Sequence, residues 1–268
     1  MELVDIGVNL THKSFRCDLD ETIMRARAVG VRRMVVTGTS VEESRAAQTL
    51  AVNHPGTLYA TAGVHPHEAR HFTANTPIAL RELAVEEGVV ALGETGLDFN
   101  RDFSPRSDQE KAFEAQLELA VELKLPVFMH ERDAHRRFSK ILERYRSRLK
   151  AAVAHCFTGD GEALAAYLDL DLHVGVTGWI CDERRGLHLR ELVRRIPLER
   201  LMLETDSPYL LPRTVRPKPK TRRNEPAFLS EVLAVVAECL DVPQSQVAAA
   251  TTQTAKRFFN LPDNLLEA

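Results

Sequence analysis

The sequence predicts a (β/α)8 barrel, and three observations carry the expectation. Eight apolar stretches of strand length alternate with eight amphipathic stretches of helix length. The strand ends fall near residues 8, 37, 63, 94, 130, 155, 176 and 206, one strand-loop-helix-loop unit apart. Four of those ends carry a metal-capable side chain: Glu94, His130, His155 and the pair Glu204/Asp206. Unbroken apolar runs suit strands buried on both faces, as in a parallel sheet. A chain of 268 residues matches one such barrel, which takes about 250 residues, so a single domain over 1–268 is expected.

Leu3 to Leu10 reads as the first strand, carrying Asp5, Gly7 and Asn9. Asp18 suits an N-cap and Gly30 a C-cap for the helix between them. Arg33 to Gly38 forms the second strand and Val41 to Asn53 the second helix. Thr57 to Gly63 is the third strand, leading into Val64-His65-Pro66-His67, and Thr76-Pro77 opens a helix that ends before Gly88. Val89 to Leu92 runs into Gly93 and Glu94, which closes the fourth strand. Ser107 to Leu123 is a long amphipathic helix with Phe113, Leu117, Ala120 and Val121 on one stripe. Leu125 to Met129 ends in His130, and a helix follows from about Ala134 to Arg148. Ala151 to Ala154 ends in His155 and precedes a helix over Gly161 to Leu168. Leu172 to Val176 and Leu187 to Arg195 make the seventh pair. Arg200 to Leu203 ends in Glu204-Thr205-Asp206, followed by a proline-rich loop, a helix over Glu225 to Leu240 and terminal helices over Val242 to Asn260.

The net charge of −3 supplies no bulk attraction to nucleic acid or membrane, so any polyanion must be held by a local patch. Cys17, Cys156, Cys181 and Cys239 are far apart with no C-x-x-C pair, which fits reduced thiols. The N-terminus carries Glu2 and Asp5 rather than a basic segment, and no apolar run reaches the length of a membrane span. A cytoplasmic, monomeric protein with no membrane association is the expectation.

In this barrel class chemistry sits at the C-terminal ends of the strands. A carboxylate buried there costs roughly several kcal/mol unless cations or hydrogen bonds compensate. His130 and His155 lie one unit apart, so adjacent strands would point both imidazoles into one mouth beside Glu94 and Asp206. That N/O set suits zinc, manganese or magnesium, with histidine weighing somewhat against magnesium. A glutamate between two sites can bridge paired cations, as in phosphodiester displacement. Asp206, nearest the mouth, reads as ligand and water-activating base. Glu204 reads as a supporting partner or simply a buried, hydrogen-bonded residue. His65 and His67 sit on a loop, and His65 reads as a group behind the metal or on a phosphate rather than as a ligand. The other histidines read as surface or packing residues.

Arg213 to Arg223 holds six cations with no acid among them, interrupted by prolines. A basic run is usually solvated surface, but a loop after the eighth strand overhangs the mouth near a common phosphate position. That favours a polyanionic substrate. Arg222, Arg223, Arg132 and Trp179 are the candidate substrate contacts, with Trp179 able to stack a base or to pack in the core.

Asp5-Ile6-Gly7-Val8-Asn9, Gly63-Val64-His65-Pro66-His67, Gly93-Glu94-Thr95-Gly96-Leu97-Asp98, Met129-His130, His155-Cys156-Phe157-Thr158-Gly159, Glu204-Thr205-Asp206-Ser207-Pro208-Tyr209 and Arg223-Asn224-Glu225-Pro226 together resemble the TatD family of metal-dependent nucleases. Gly178 to Gly186 is similar to the eponymous branch of that family. The resemblance implies an amidohydrolase-like barrel hydrolysing phosphodiester bonds. For that branch it implies magnesium-dependent 3′ to 5′ exonuclease action on single-stranded DNA and RNA, and a link to DNA repair. Family ligand positions fall on Glu94, His130, His155 and Asp206, with His65 in the pocket. Most members begin Asp-x-His-x-His, whereas this chain has Gly7 and Asn9. The first metal position then keeps at most the amide oxygen of Asn9, and Gly7→His with Asn9→His is expected to restore a second zinc. Two rival readings are an amidohydrolase for a small amide or ester, and a nucleic-acid-binding barrel without catalysis.

Overall fold

The computed structural model describes residues 1–263. Eight parallel strands run in the order β1 to β8. They are β1 (Leu3–Val8), β2 (Val31–Val36), β3 (Leu58–Ala62), β4 (Val89–Asp98), β5 (Val127–Arg132), β6 (Ala152–Ala154), β7 (His173–Val176) and β8 (Leu201–Leu203). The sheet closes where Asn9 N–H donates to Ser207 O at 2.7 Å and Asp206 N–H donates to Gly7 O at 2.8 Å. The helices are α1 (Leu19–Ala28), α2 (Val41–Asn53), α3 (Thr76–Ala84), α4 (Arg106–Leu123), α5 (His135–Glu143), α6 (Gly161–Asp169), α7 (Leu187–Leu192), α8 (Leu229–Leu240) and α9 (Gln244–Phe259). No helix among the described residues is long and apolar enough to cross a membrane.

Alternation along the strands builds two cores. One face of each strand packs under the helices, with Leu3, Met34, Leu58, Leu92 and Val127 in that layer. The other face fills the barrel with Val4, Ile6, Val35, Phe128, Val153 and Met202, closed off by Phe258 and Phe259 of α9. The terminal segment is thus one helix that plugs the barrel's N-terminal end. Arg33, fully buried there, is held by Glu2 and by the carbonyl of Pro262 at 2.8 Å.

Several expected boundaries and caps shift. The helix after β5 stops at Glu143, a separate 3-10 turn covers Arg146–Arg148, and α8 starts at Leu229 after a 3-10 turn at Pro226–Phe228. Asp18 makes no side-chain cap to α1, because its carboxylate accepts from Arg223 at 2.7 Å instead. The largest change is in β4, which does not end at Glu94 but continues to Asp98, with Thr95 to Asp98 pairing with Met129 to Arg132. Gly93 and Gly96 take φ of +132° and +137°, and a side chain there would run into the carbonyl oxygens of Phe128 and His130. The glycines that looked like a strand terminator permit a close backbone approach that keeps the strand going. Both Glu94 and Asp98 are therefore brought to the mouth.

Candidate active site

The centre of the site is one oxygen atom. Glu94 Oε1 lies 2.7 Å from His155 Nε2, 3.1 Å from His130 Nδ1 and 3.3 Å from His65 Nε2. The imidazoles come from within β5, from just past the end of β6 and from the turn after β3. Around this core a ring of carboxylates orients the imidazoles. Asp98 Oδ2 meets His67 Nε2 at 2.7 Å and His130 Nε2 at 3.4 Å. Glu204 Oε2 meets His155 Nδ1 at 3.3 Å, and its other oxygen accepts from the Cys156 N–H. His65 Nδ1 accepts from the His67 N–H at 3.0 Å, which leaves Nε2 to face Glu94.

Helix α4 sets this geometry from behind. Gln116 accepts from Val64 N at 2.8 Å and donates to Thr95 Oγ1 at 2.7 Å, tying the neighbours of His65 and Glu94 together. Gln109 accepts from Asp98 N at 2.8 Å and donates to its carbonyl at 3.1 Å. Both amides are buried and satisfied, which locks the strand ends rather than loosening them.

Burial disfavours a charged Glu94, yet the imidazoles of His65 and His155 and the hydrogen bond from His130 outweigh it and hold the carboxyl well below its usual range. Burial pulls His65 down to about 4 despite Glu94. His155 is pushed the other way: burial opposes its charge, but Glu94 and Glu204 together raise it well above an ordinary imidazole. Burial pushes Asp206 up to about 7, with Glu94 and Glu204 adding repulsion. Asp206 takes a left-handed φ of +52° and accepts from Asn9 Nδ2 at 3.0 Å.

Such a concentration of carboxylates around imidazoles suits a divalent cation. His65, Glu94 and His130 each offer one donor atom, all within 4.8 Å of one another. His130 Nε2 is buried without a hydrogen bond of good geometry. Imidazole nitrogen beside carboxylate oxygen is a donor set that divalent metals take, and the pattern of imidazole backed by carboxylate is the one that fixes a ligand's tautomer.

The expected site residues are distributed as follows. Glu94, His65, His130, His155, Asp206 and Asn9 all line one cavity of about 780 Å³. His65 joins Glu94 and His130 in a three-donor group, where the sequence predicts only a supporting position. The amide nitrogen of Asn9 is engaged with Asp206 and with Ser207 O at 3.3 Å. At Gly7 even a Cβ would stand 2.5 Å from Glu204 Oε2 and 3.2 Å from Phe128 Cζ, so a side chain there requires the Glu204 carboxylate to move. The change Gly7→His with Asn9→His therefore also disturbs Glu204, which supports His155. The basic loop is also displaced. None of Arg213 to Arg223 lines the catalytic cavity, whose cation is Arg101; Arg222 lines a neighbouring groove instead. Arg223 lines neither space, and its guanidinium is bound to Asp18, with Glu225 and the Ser14 carbonyl beside it. Arg132 stands 5.5 Å from the Trp179 ring centroid and does not line the catalytic cavity.

Residues 4–260 match the family described as TatD related DNase. The chain belongs to the TatD family. A protein named 3′-5′ ssDNA/RNA exonuclease TatD from Pantoea ananatis is 52% identical over 97% of this chain and all of its own. The protein of the same name from Escherichia fergusonii is 50% identical over 97% of this chain and 99% of its own. Among solved structures, the TatD homologue YJJV from Escherichia coli superposes with a TM-score of 0.88 at 28% identity, covering 97% of this chain and 98% of that one. A Xaa-Pro dipeptidase at 12% identity and a TM-score of 0.60 shares the barrel alone.

Within this TatD-family site, the sequence reading missed Asp98, His67, Arg101 and the two glutamines of α4. For Asp98 a signal existed, since it stands four residues after Glu94 and so on the same face of an extended strand. For Gln109 and Gln116 the signal was two amides at helical spacing on an otherwise apolar buried face.

Proposed function

We propose that the protein is a metal-dependent phosphodiesterase that removes nucleotides from the 3′ ends of single-stranded DNA and RNA. The observation that carries the metal-dependent chemistry is the convergence of three imidazole nitrogens on Glu94 Oε1 within a carboxylate ring. The names of the relatives support the nucleic-acid substrate and its polarity.

Glu94, His130 and His155, with His65 and Asp206, would hold the cation. When bound, it would polarise the phosphate and lower the pKa of an attacking water. Asp206, with its carboxyl near neutrality in the metal-free protein, is the group suited to accept the water's proton. Asn9 holds that carboxylate in place. Glu204 and Asp98 keep His155 and His130 in fixed orientation. Arg101 at the rim meets a non-bridging phosphate oxygen. Magnesium is the proposed working ion, supported by the oxygen donors Asp206 and Asn9; manganese and zinc are the alternatives that the imidazoles favour.

A panel of 5′-labelled single-stranded DNA, RNA and small amides, each with and without EDTA, tests this reading. Mononucleotide release from DNA and RNA that EDTA abolishes is expected. Turnover of the amides alone would replace it with the amidohydrolase reading, and binding without turnover with the non-catalytic one.

A further inference from the structure

Beside the catalytic cavity lies a second groove of about 960 Å³, walled by Gly178 to Arg185 after β7 and by Pro208 to Arg222 after β8. Tyr209, 51% exposed, lines both spaces, so the two adjoin at its side chain. Their electrostatics are opposite. The cavity is a nest of carboxylates, whereas the groove is lined by cations from both walls.

The two acids in the groove are already engaged. Glu183 pairs with Arg213 at 2.7 Å, and Asp182 accepts from the backbone of Arg184 and Arg185 at 2.8 and 3.3 Å. Arg216 turns back onto the carbonyls of Arg213 and Val215. Among the described residues, Arg185, Lys218, Lys220 and Arg222 enter no ion pair, so their charge faces the groove uncompensated. At its inner wall sits Trp179, half-buried, with the guanidinium groups of Arg132 and Arg185 at 5.5 and 5.8 Å from its ring. A flat ring flanked by cations, in a trough of further cations, offers base stacking and phosphate contact together. A membrane surface would not enter a walled trough, and an acidic peptide would make no use of the ring.

We propose that this groove binds the body of the single strand whose terminal nucleotide occupies the catalytic cavity. The inference rests on the nuclease reading for its substrate, but its test does not depend on turnover. With the whole chain in EDTA, anisotropy of a fluorescein-labelled oligothymidylate of about 12 nucleotides, within the range of single-strand site sizes, measures binding against salt. The triple variant Lys218→Ala, Lys220→Ala, Arg222→Ala alters only this exposed loop, and its fold is checked by circular dichroism. The slope of log affinity against log salt is expected to fall by about 2, roughly 0.7 for each of three phosphate contacts. Trp179→Leu should weaken binding about 5- to 150-fold, the contribution of one stacked base.

An unchanged slope in the folded triple variant overturns the proposal, as does competition by polyglutamate as effective as by unlabelled DNA. With magnesium present, the triple variant should lose at least tenfold more kcat/KM on the long strand than on a dinucleotide; equal losses also overturn it. Wild-type protein that binds through the groove yet digests nothing refutes the nuclease reading and leaves the groove standing. Digestion by wild type with no effect of the variants on binding or turnover does the reverse.

Discussion

Replacing Asp206 by asparagine should make the metal-free protein more stable at alkaline pH while removing its activity. Asp206 is pushed from an ordinary 3.8 up to about 7 by burial and by the carboxylates of Glu94 and Glu204. Between those two values the unfolded chain has released its proton and the folded chain still holds it. Stability from this group is therefore complete below pH 3.8 and is lost as pH rises to about 7. A shift of about three pKa units corresponds to roughly 4 kcal/mol at about 1.4 kcal/mol each, and partial access of solvent at the mouth halves that to about 2 kcal/mol. Asparagine keeps the shape and can still accept from Asn9, but has no charge to bury. Chemical denaturation in EDTA from pH 4 to 9 is the assay. The advantage of the variant should be near zero at pH 4, grow through pH 7 and then level off. With a divalent ion added, the order should reverse, because the carboxylate then gains a counter-charge. A difference that ignores pH, or a variant less stable than wild type at pH 8 in EDTA, would show that burial does not hold Asp206 in its neutral form.

Three further outcomes follow from contacts around the same site. Gly7→Ala places a methyl group 2.5 Å from Glu204 Oε2, and should cost about 1–3 kcal/mol in thermal unfolding by overpacking, with turnover falling as His155 loses its support. Asp98→Asn removes the charge behind His67 and His130 and should lower metal affinity about 10- to 100-fold by titration calorimetry; unchanged affinity would show Asp98 to be irrelevant to the metal. Gln116→Leu strands the buried Val64 N–H and Thr95 hydroxyl and should cost about 2–6 kcal/mol at roughly 1–3 per buried unsatisfied group, with a loss of activity that a purely local packing defect would not produce.

The barrel was legible because its strands must be buried on both faces, and few chains contain eight apolar runs at one-unit spacing without folding this way. Val41 to Asn53 is a helix with the expected bounds, its N-terminus capped by Ser40. The strand ends also drew Glu94, His130, His155 and Asp206 towards one mouth, since adjacent parallel strands leave no other direction for them. What could not be read was set by contacts distant in sequence. Arg223 looks like one more member of a basic run until the fold brings Asp18 beside it. Gly7 looks like an open ligand position, and only the fold shows Glu204 lying against it. Gly93 reads as a terminator, and only its positive φ shows that the strand passes through it to Asp98. The basic loop lines a neighbouring groove rather than the metal donors, held there by contacts such as Arg213 with Glu183 that no periodicity encodes.

In the proposed function, chemistry depends on a divalent ion held around Glu94 and begins at a free 3′ end. The direct measurement is digestion of one 5′-labelled single strand, with its 3′ end free or blocked, by wild type and Glu94→Gln with magnesium and with EDTA. Wild type with magnesium should shorten the free strand one nucleotide at a time and leave the blocked strand whole, and either EDTA or Glu94→Gln should stop it. Equal digestion in EDTA, undiminished activity of Glu94→Gln, or cutting within the blocked strand would contradict the claim.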